Sequence, residues 1–170
     1  FRRRIMALKQ ARRVALGPNM TALFENHDTA LYQIQEMLRT ERITAAKAIA
    51  HELETYNELV PGAHELSATL FIEYPEREQR ERMLVALAGI ESAFFLRAAG
   101  VRSPVVPDTR GTEPERTMAV QYVKFPLTAS AEAGLRAGTI ELSLGVEHDA
   151  YRAEVVLSRD VLQSLADDLA

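Results

Sequence analysis

Apolar positions at Phe1, Ile5, Leu8 and Ala11 or Arg12, with cations on the other faces, predict a basic amphipathic helix over residues 1–13. Gly17-Pro18 breaks it, and the short apolar run Met20–Glu25 reads as a buried strand. Asp28 is placed to cap the next helix, whose stripe is Leu31, Ile34, Met37 and Leu38. Thr44 then opens a helix to Glu58 with Ala45, Ala48, Ile49, Leu53 and Tyr56 inward, closed by Val60-Pro61-Gly62. Alternation over Leu66–Glu73 predicts a strand. Pro75, with Glu76 and Glu78 behind it, starts a helix whose core face is Met83, Leu84, Leu87 and Ile90. A short strand follows at Phe94–Arg97.

Gly100, Pro104, Pro107, Gly111 and Pro114 punctuate the next stretch so densely that a long mobile loop is expected over residues 100–116. Thr117–Leu127 reads as a strand ending at Pro126, and Thr128 caps a helix that Gly138 closes. Two β-rich runs, Thr139–Val146 and Arg152–Leu157, meet at Glu147-His148-Asp149-Ala150-Tyr151 as a hairpin. Ser158 caps a last helix with Val161, Leu162, Leu165 and Leu169 facing the core. Few strands and a terminal hairpin favour an α+β fold over a doubly wound parallel one. The expectation is a single domain over 1–170, with a mostly antiparallel sheet flanked by helices.

Charge adds an asymmetry that the pattern does not show. Of 20 Lys and Arg, six (Arg2, Arg3, Arg4, Lys9, Arg12, Arg13) precede the first acid, Glu25; the remainder carries 14 cations against 24 acids, a net of −10 within a total of −4. A globally basic nucleic-acid binder is therefore disfavoured, and the first helix lacks interleaved aromatics for base stacking. Such a helix is expected to dock on the acidic remainder of its own chain or of a second copy, which predicts a homodimer. With no Cys there is no disulfide framework, no thiolate metal site and no cysteine nucleophile, a usage that fits the cytoplasm. No apolar run is long enough to span a membrane. The start Phe1-Arg2-Arg3-Arg4 lacks an initiator Met and a signal-peptide h-region, so a longer gene product is expected upstream.

Motif absences narrow the chemistry. The chain lacks a Gly-x-Gly-x-x-Gly, a Walker loop and a Gly-x-Ser-x-Gly elbow. His51-Glu52-Leu53-Glu54-Thr55 begins like a zinc-protease helix, but Thr55 stands where the second ligand must be. His27, His51, His64 and His148 each have an acidic neighbour, which raises a metal site, although adjacent residues in extended chain point opposite ways. Two further constellations stand out. Glu25-Asn26-His27-Asp28 at a strand-to-helix junction, with Tyr32 and Glu36 on one helix face, could receive a ligand or could be a cap and solvated charges. Tyr56-Asn57 with His148 and Tyr151 could supply a general base and an oxyanion donor, or His148-Asp149 could be a structural turn.

The segments Ala15–Thr29, Gln33–Arg39, Thr55-Tyr56-Asn57, Glu65–Leu70 and Leu144–Tyr151 together resemble a bacterial family of uncharacterised proteins, a domain of unknown function, over nearly the whole chain. Genes of that family often lie beside genes for rubrerythrin-like and iron–sulfur oxidoreductase proteins, so the resemblance implies a redox or oxidative-stress setting and a redox-protein partner. His27 stands where sequences of that family often carry Arg, which counts against it as a metal ligand. The expected role is a small binding or accessory protein, with Glu25, Asn26, Glu36 and Glu65 as ligand-binding candidates. The alternative is a metal-dependent or His-based enzyme built on His148, the candidate metal ligand or base, with Glu36, Tyr56 and Tyr151. No cofactor is assigned.

Overall fold

A computed structural model describes residues 1–169 of the chain. Its elements run α1 (Arg2–Ala11), β1 (Arg13–Ala15), β2 (Met20–Glu25), α2 (His27–Thr40), α3 (Ala46–Asn57), β3 (Glu65–Ile72), α4 (Arg77–Ala86), β4 (Phe94–Ala98), β5 (Val101–Pro104), β6 (Val106–Pro107), β7 (Val120–Pro126), α5 (Ala129–Ala137), β8 (Leu142–His148), β9 (Tyr151–Val156) and α6 (Arg159–Asp168). The fold is α+β, and every strand pairing is antiparallel. The strands divide into two sheets, ordered β1-β2-β3-β7-β6 and β5-β4-β8-β9.

Alternation decides which face of each sheet is buried. Ala22, Phe24, Ala68, Leu70 and Val123 of the first sheet join Phe94, Leu96, Leu142 and Leu144 of the second in one apolar core. Leu84 of α4, Leu135 of α5 and Leu165 of α6 complete it. Local caps fix three helix ends as expected. Thr128 and Ser158 accept from the backbone N–H groups of Ala131 and Val161, and Gly138 closes α5 in the left-handed conformation (φ +67°).

Several elements differ from the pattern-based reading. Asn26, not Asp28, caps α2: its side chain accepts from the Thr29 N–H while the Thr29 hydroxyl accepts from the Asn26 N–H. Asp28 instead pairs with Arg4 at 2.8 Å. Thr44 makes no cap, because α3 begins after Ala45 without one, and α3 buries none of its residues. The buried residues of α2 are Thr29, Ala30, Tyr32 and Ile34, with Leu31, Met37 and Leu38 only half-buried. Pro75 lies ahead of α4, which starts at Arg77, and Ile90 packs from a separate 3-10 turn. The expected long loop over 100–116 contains β5 and β6, one strand for each sheet; Pro104 and Pro107 are tolerated because both strands are edges. Among the described residues no helix is long and apolar enough to cross a membrane.

The basic helix α1 docks on its own chain. Ile5 is fully buried, Lys9 Nζ stands 5.5 Å from the Tyr32 ring centroid, and the Phe1 and Tyr32 rings lie 6.5 Å apart. Arg12, 1% exposed, donates to the Phe24 carbonyl (3.0 Å), to the Ser164 carbonyl and hydroxyl, and to the Asp168 carboxylate. A buried guanidinium is tolerated only when its donors are met in this way.

Candidate functional site

The first sheet has a core face and a polar face. Pairing across β2, β3 and β7 sets Glu25, Ser67 and Lys124 in one row of the polar face, Leu23, Thr69 and Tyr122 in the next, and Thr21, Phe71 and Val120 in a third. Gln33 of α2 and Leu59, just beyond α3, lie over these rows, and the Ser67 hydroxyl donates to the Leu59 carbonyl.

Glu25 is buried, and both of its carboxylate oxygens are met: Thr29 Oγ1 donates at 2.5 Å and Thr69 Oγ1 at 2.6 Å. A cavity of about 180 Å³ opens beside it, walled by Lys9, Gln33, Thr69 and Tyr122 and by the apolar Leu23, Leu59, Phe71 and Val120. Leu59 and Tyr122 also wall a second hollow, about 190 Å³, bounded by Asp108, Arg110 and Lys124. Burial, and after it the nearby Tyr56, Glu25 and Asp108, push the Tyr122 hydroxyl above the ordinary phenol value. Tyr122, a protonated phenol at neutral pH, lines both hollows.

A strap closes the far side. Arg110 reaches both Asp108 and, at 2.7 Å, Glu58 at the end of α3, while the Asp108 N–H donates to the Tyr122 carbonyl at 2.8 Å. The Arg110 side-chain bond holds the Asp108 carboxyl below its ordinary value against the opposing effect of burial. On the same sheet face Glu65 accepts from Lys124 Nζ (2.7 Å) and the Gly62 N–H (2.6 Å). Burial raises its pKa, but those two donors outweigh it and leave Glu65 below the ordinary glutamate value.

Of the residues singled out from sequence, Glu25, Tyr56 and Glu65 belong to this region: Glu25 lines the cavity, Tyr56 acts on Tyr122, and Glu65 lies on the same face. Asn26 is engaged in capping α2, and its amide donates to Asp168. Glu36 sits on the surface of α2 in a two-pronged pair with Arg39, whose hydrogen bond lowers its pKa. His148 and Tyr151 lie on the other sheet. The His148 ring bonds through Nε2 to the Ala88 carbonyl and accepts the Ala150 N–H at Nδ1, both at 3.1 Å. This uses both nitrogens of the neutral imidazole. The Tyr151 hydroxyl donates to the Leu16 carbonyl and accepts from the Asn19 N–H. His27 and His51 are exposed, and His64 pairs with Glu132 at 2.6 Å. Among the described residues no three His, Asp or Glu side chains converge as metal ligands would.

Tyr122, Thr69 and Lys9 were not legible as site residues. The one local signal was the alternation Val120-x-Tyr122-x-Lys124, which puts all three on one strand face.

The fold defines a small α+β protein with two antiparallel sheets, the first of which has a hollowed polar face. The family model described as "Protein of unknown function (DUF3501)" matches residues 1–169, and the chain belongs to that family. A crystal structure of a novel protein of unknown function from Burkholderia pseudomallei K96243 is similar at 38% identity and a TM-score of 0.91, over 99% of this chain and 89% of that one. No curated protein matches the chain.

Proposed function

We propose that this chain is a small-ligand-binding accessory protein, and that its ligand is a monocarboxylate with a compact apolar body held beside Tyr122. The observation that carries this reading is the mixed wall of the cavity. Lys9, Gln33 and the protonated Tyr122 supply donors for carboxylate oxygens, while Leu23, Leu59, Phe71 and Val120 supply an apolar lining. Glu25 is satisfied by two threonines and serves to hold Thr69 and Thr29 in place rather than to meet the ligand. A volume of about 180 Å³ suits one small ring, since an apolar hollow of roughly 150 Å³ holds benzene.

The hydrogen bonds on His148 support binding over the His-based enzyme, because a general base needs a free ring nitrogen. The redox or oxidative-stress setting and a redox-protein partner enter this proposal through the family resemblance, and a cytoplasmic location through the lack of Cys. The test is thermal-shift and NMR titration with benzoate, phenylacetate and isobutyrate, with benzamide as the neutral control. We expect at least one acid to bind, benzamide to bind more weakly, and Tyr122→Phe or Lys9→Met to weaken the acid by about tenfold or more. Failure of all three acids, or affinities unchanged in both variants, overturns the reading.

A further inference from the structure

The geometry points to a second copy of this chain as the partner of the β9 edge. Four strands form sheet edges among the described residues: β1, β6, β5 and β9. β1 and β6 are three and two residues long, and β5 ends in Pro104. β9 has six residues and no proline, so it is the longest edge with its hydrogen-bonding groups intact.

Which groups point outward follows from the β8–β9 register. Leu157 N–H donates to the Leu142 carbonyl at 2.8 Å, and the same register continues through Leu144↔Val155, Val146↔Ala153 and His148↔Tyr151. These odd-numbered β9 residues turn their backbone groups inward to β8. Arg152, Glu154 and Val156 therefore present their N–H and C=O groups to the open side. Their side chains share the face of the sheet away from the core, where Val156 is 55% exposed and the Arg152 side chain 67% exposed.

Charge then selects one register. A two-fold axis through Ala153 sets Arg152 opposite Glu154 of the second copy, twice over, in hydrogen-bonded pairs. Axes through Arg152 or Glu154 would instead set like charges against each other, and axes through Tyr151 or Val155 leave both charges without an opposite partner. Glu154 already bridges Arg97 at 2.7 Å, so in the pair each carboxylate would lie between two cations. Among the described residues Arg152 has one ion pair, a loose contact with Asp149 at 3.7 Å that it can leave, while Glu147, directly opposite on β8, is held by Arg102. The product is a continuous eight-stranded antiparallel sheet made from two four-stranded ones. It requires nothing of α1, whose Ile5 is buried on its own chain.

Because the chain contains no cysteine, Ala153→Cys introduces a single thiol at the proposed axis. Residues facing each other there form a non-hydrogen-bonded pair about 4.5 Å apart at Cα, within disulfide reach. Mild oxidation should yield a covalent dimer, whereas Val101→Cys on the opposite edge of the sheet should not. In sedimentation the parent chain should be a dimer. Arg152→Glu, on the exposed face and harmless to folding, should raise the dissociation constant about tenfold or more, and Arg152→Glu with Glu154→Arg should recover most of that loss. A parent chain monomeric at every concentration, equal cross-linking from both thiols, or a dimer indifferent to Arg152→Glu overturns the assignment. Circular dichroism of each variant separates loss of pairing from loss of fold.

Discussion

The ring of Phe95 occupies the space that a β-carbon on Gly145 would need: a carbon built there would lie 2.2 Å from Phe95 Cζ. The two residues are direct cross-strand partners on β4 and β8, on the sheet face away from the core. Phe95 is nonetheless only 3% exposed, because Arg102 covers its ring at 3.9 Å and Arg97 stands 5.2 Å from the centroid. Glycine is thus a packing requirement here. Gly145→Ala should cost about 1–3 kcal/mol in urea denaturation. Phe95→Leu in the same chain should recover part of the loss, and strictly additive losses would show that ring and glycine do not compete for space.

Tyr151 ties the two sheets together. Its hydroxyl, on β9 of the second sheet, donates to Leu16 and accepts from Asn19 in the turn between β1 and β2 of the first. That turn passes so close that a β-carbon on Gly17 (φ +73°) would meet the hydroxyl at 2.5 Å. Tyr151→Phe should lower stability by about 1–3 kcal/mol and leave carboxylate binding near Tyr122 unchanged. A variant of full stability would show that water satisfies both backbone groups.

Glu65 predicts a pH dependence with a defined sign. Its folded pKa lies below the ordinary value of 4.5 because Lys124 and the Gly62 N–H outweigh burial. In acid the unfolded chain therefore binds the proton first, so this carboxylate's contribution is complete above about pH 4.5 and is lost as pH falls through the folded pKa. Denaturation curves from neutral to strongly acidic pH should show the parent chain's advantage over Glu65→Gln shrinking in that window. A constant difference across it would remove the ion pair as the cause.

What the sequence made legible was local. Thr128, Ser158 and Gly138 announce their helix ends because a cap needs only the next three or four backbone groups. The alternating strands and the β8–β9 hairpin were visible for the same reason. Asn26 lost to Asp28 because both suit a cap, and only the reciprocal bond with Thr29 separates them. β1 was hidden in three residues between a cationic helix and Gly17-Pro18, and β5 and β6 lay inside a proline-rich stretch whose edge positions excuse the prolines. The cavity was the least legible part. Glu25, Thr69 and Tyr122 become neighbours only through the register of β2 on β3 and β3 on β7, which no short window contains.

The buried guanidinium of Arg12 spans almost the whole chain: its partners Ser164 and Asp168 lie 152 and 156 residues downstream. During synthesis the N-terminal helix and hairpin leave the ribosome long before α6 exists, and of the Arg12 donors only those to Phe24 and Glu25 have partners by then. The side chain can be sealed only when the last helix arrives. Translation that stops short of α6 therefore yields a chain whose first hairpin carries a guanidinium without its Ser164 and Asp168 partners.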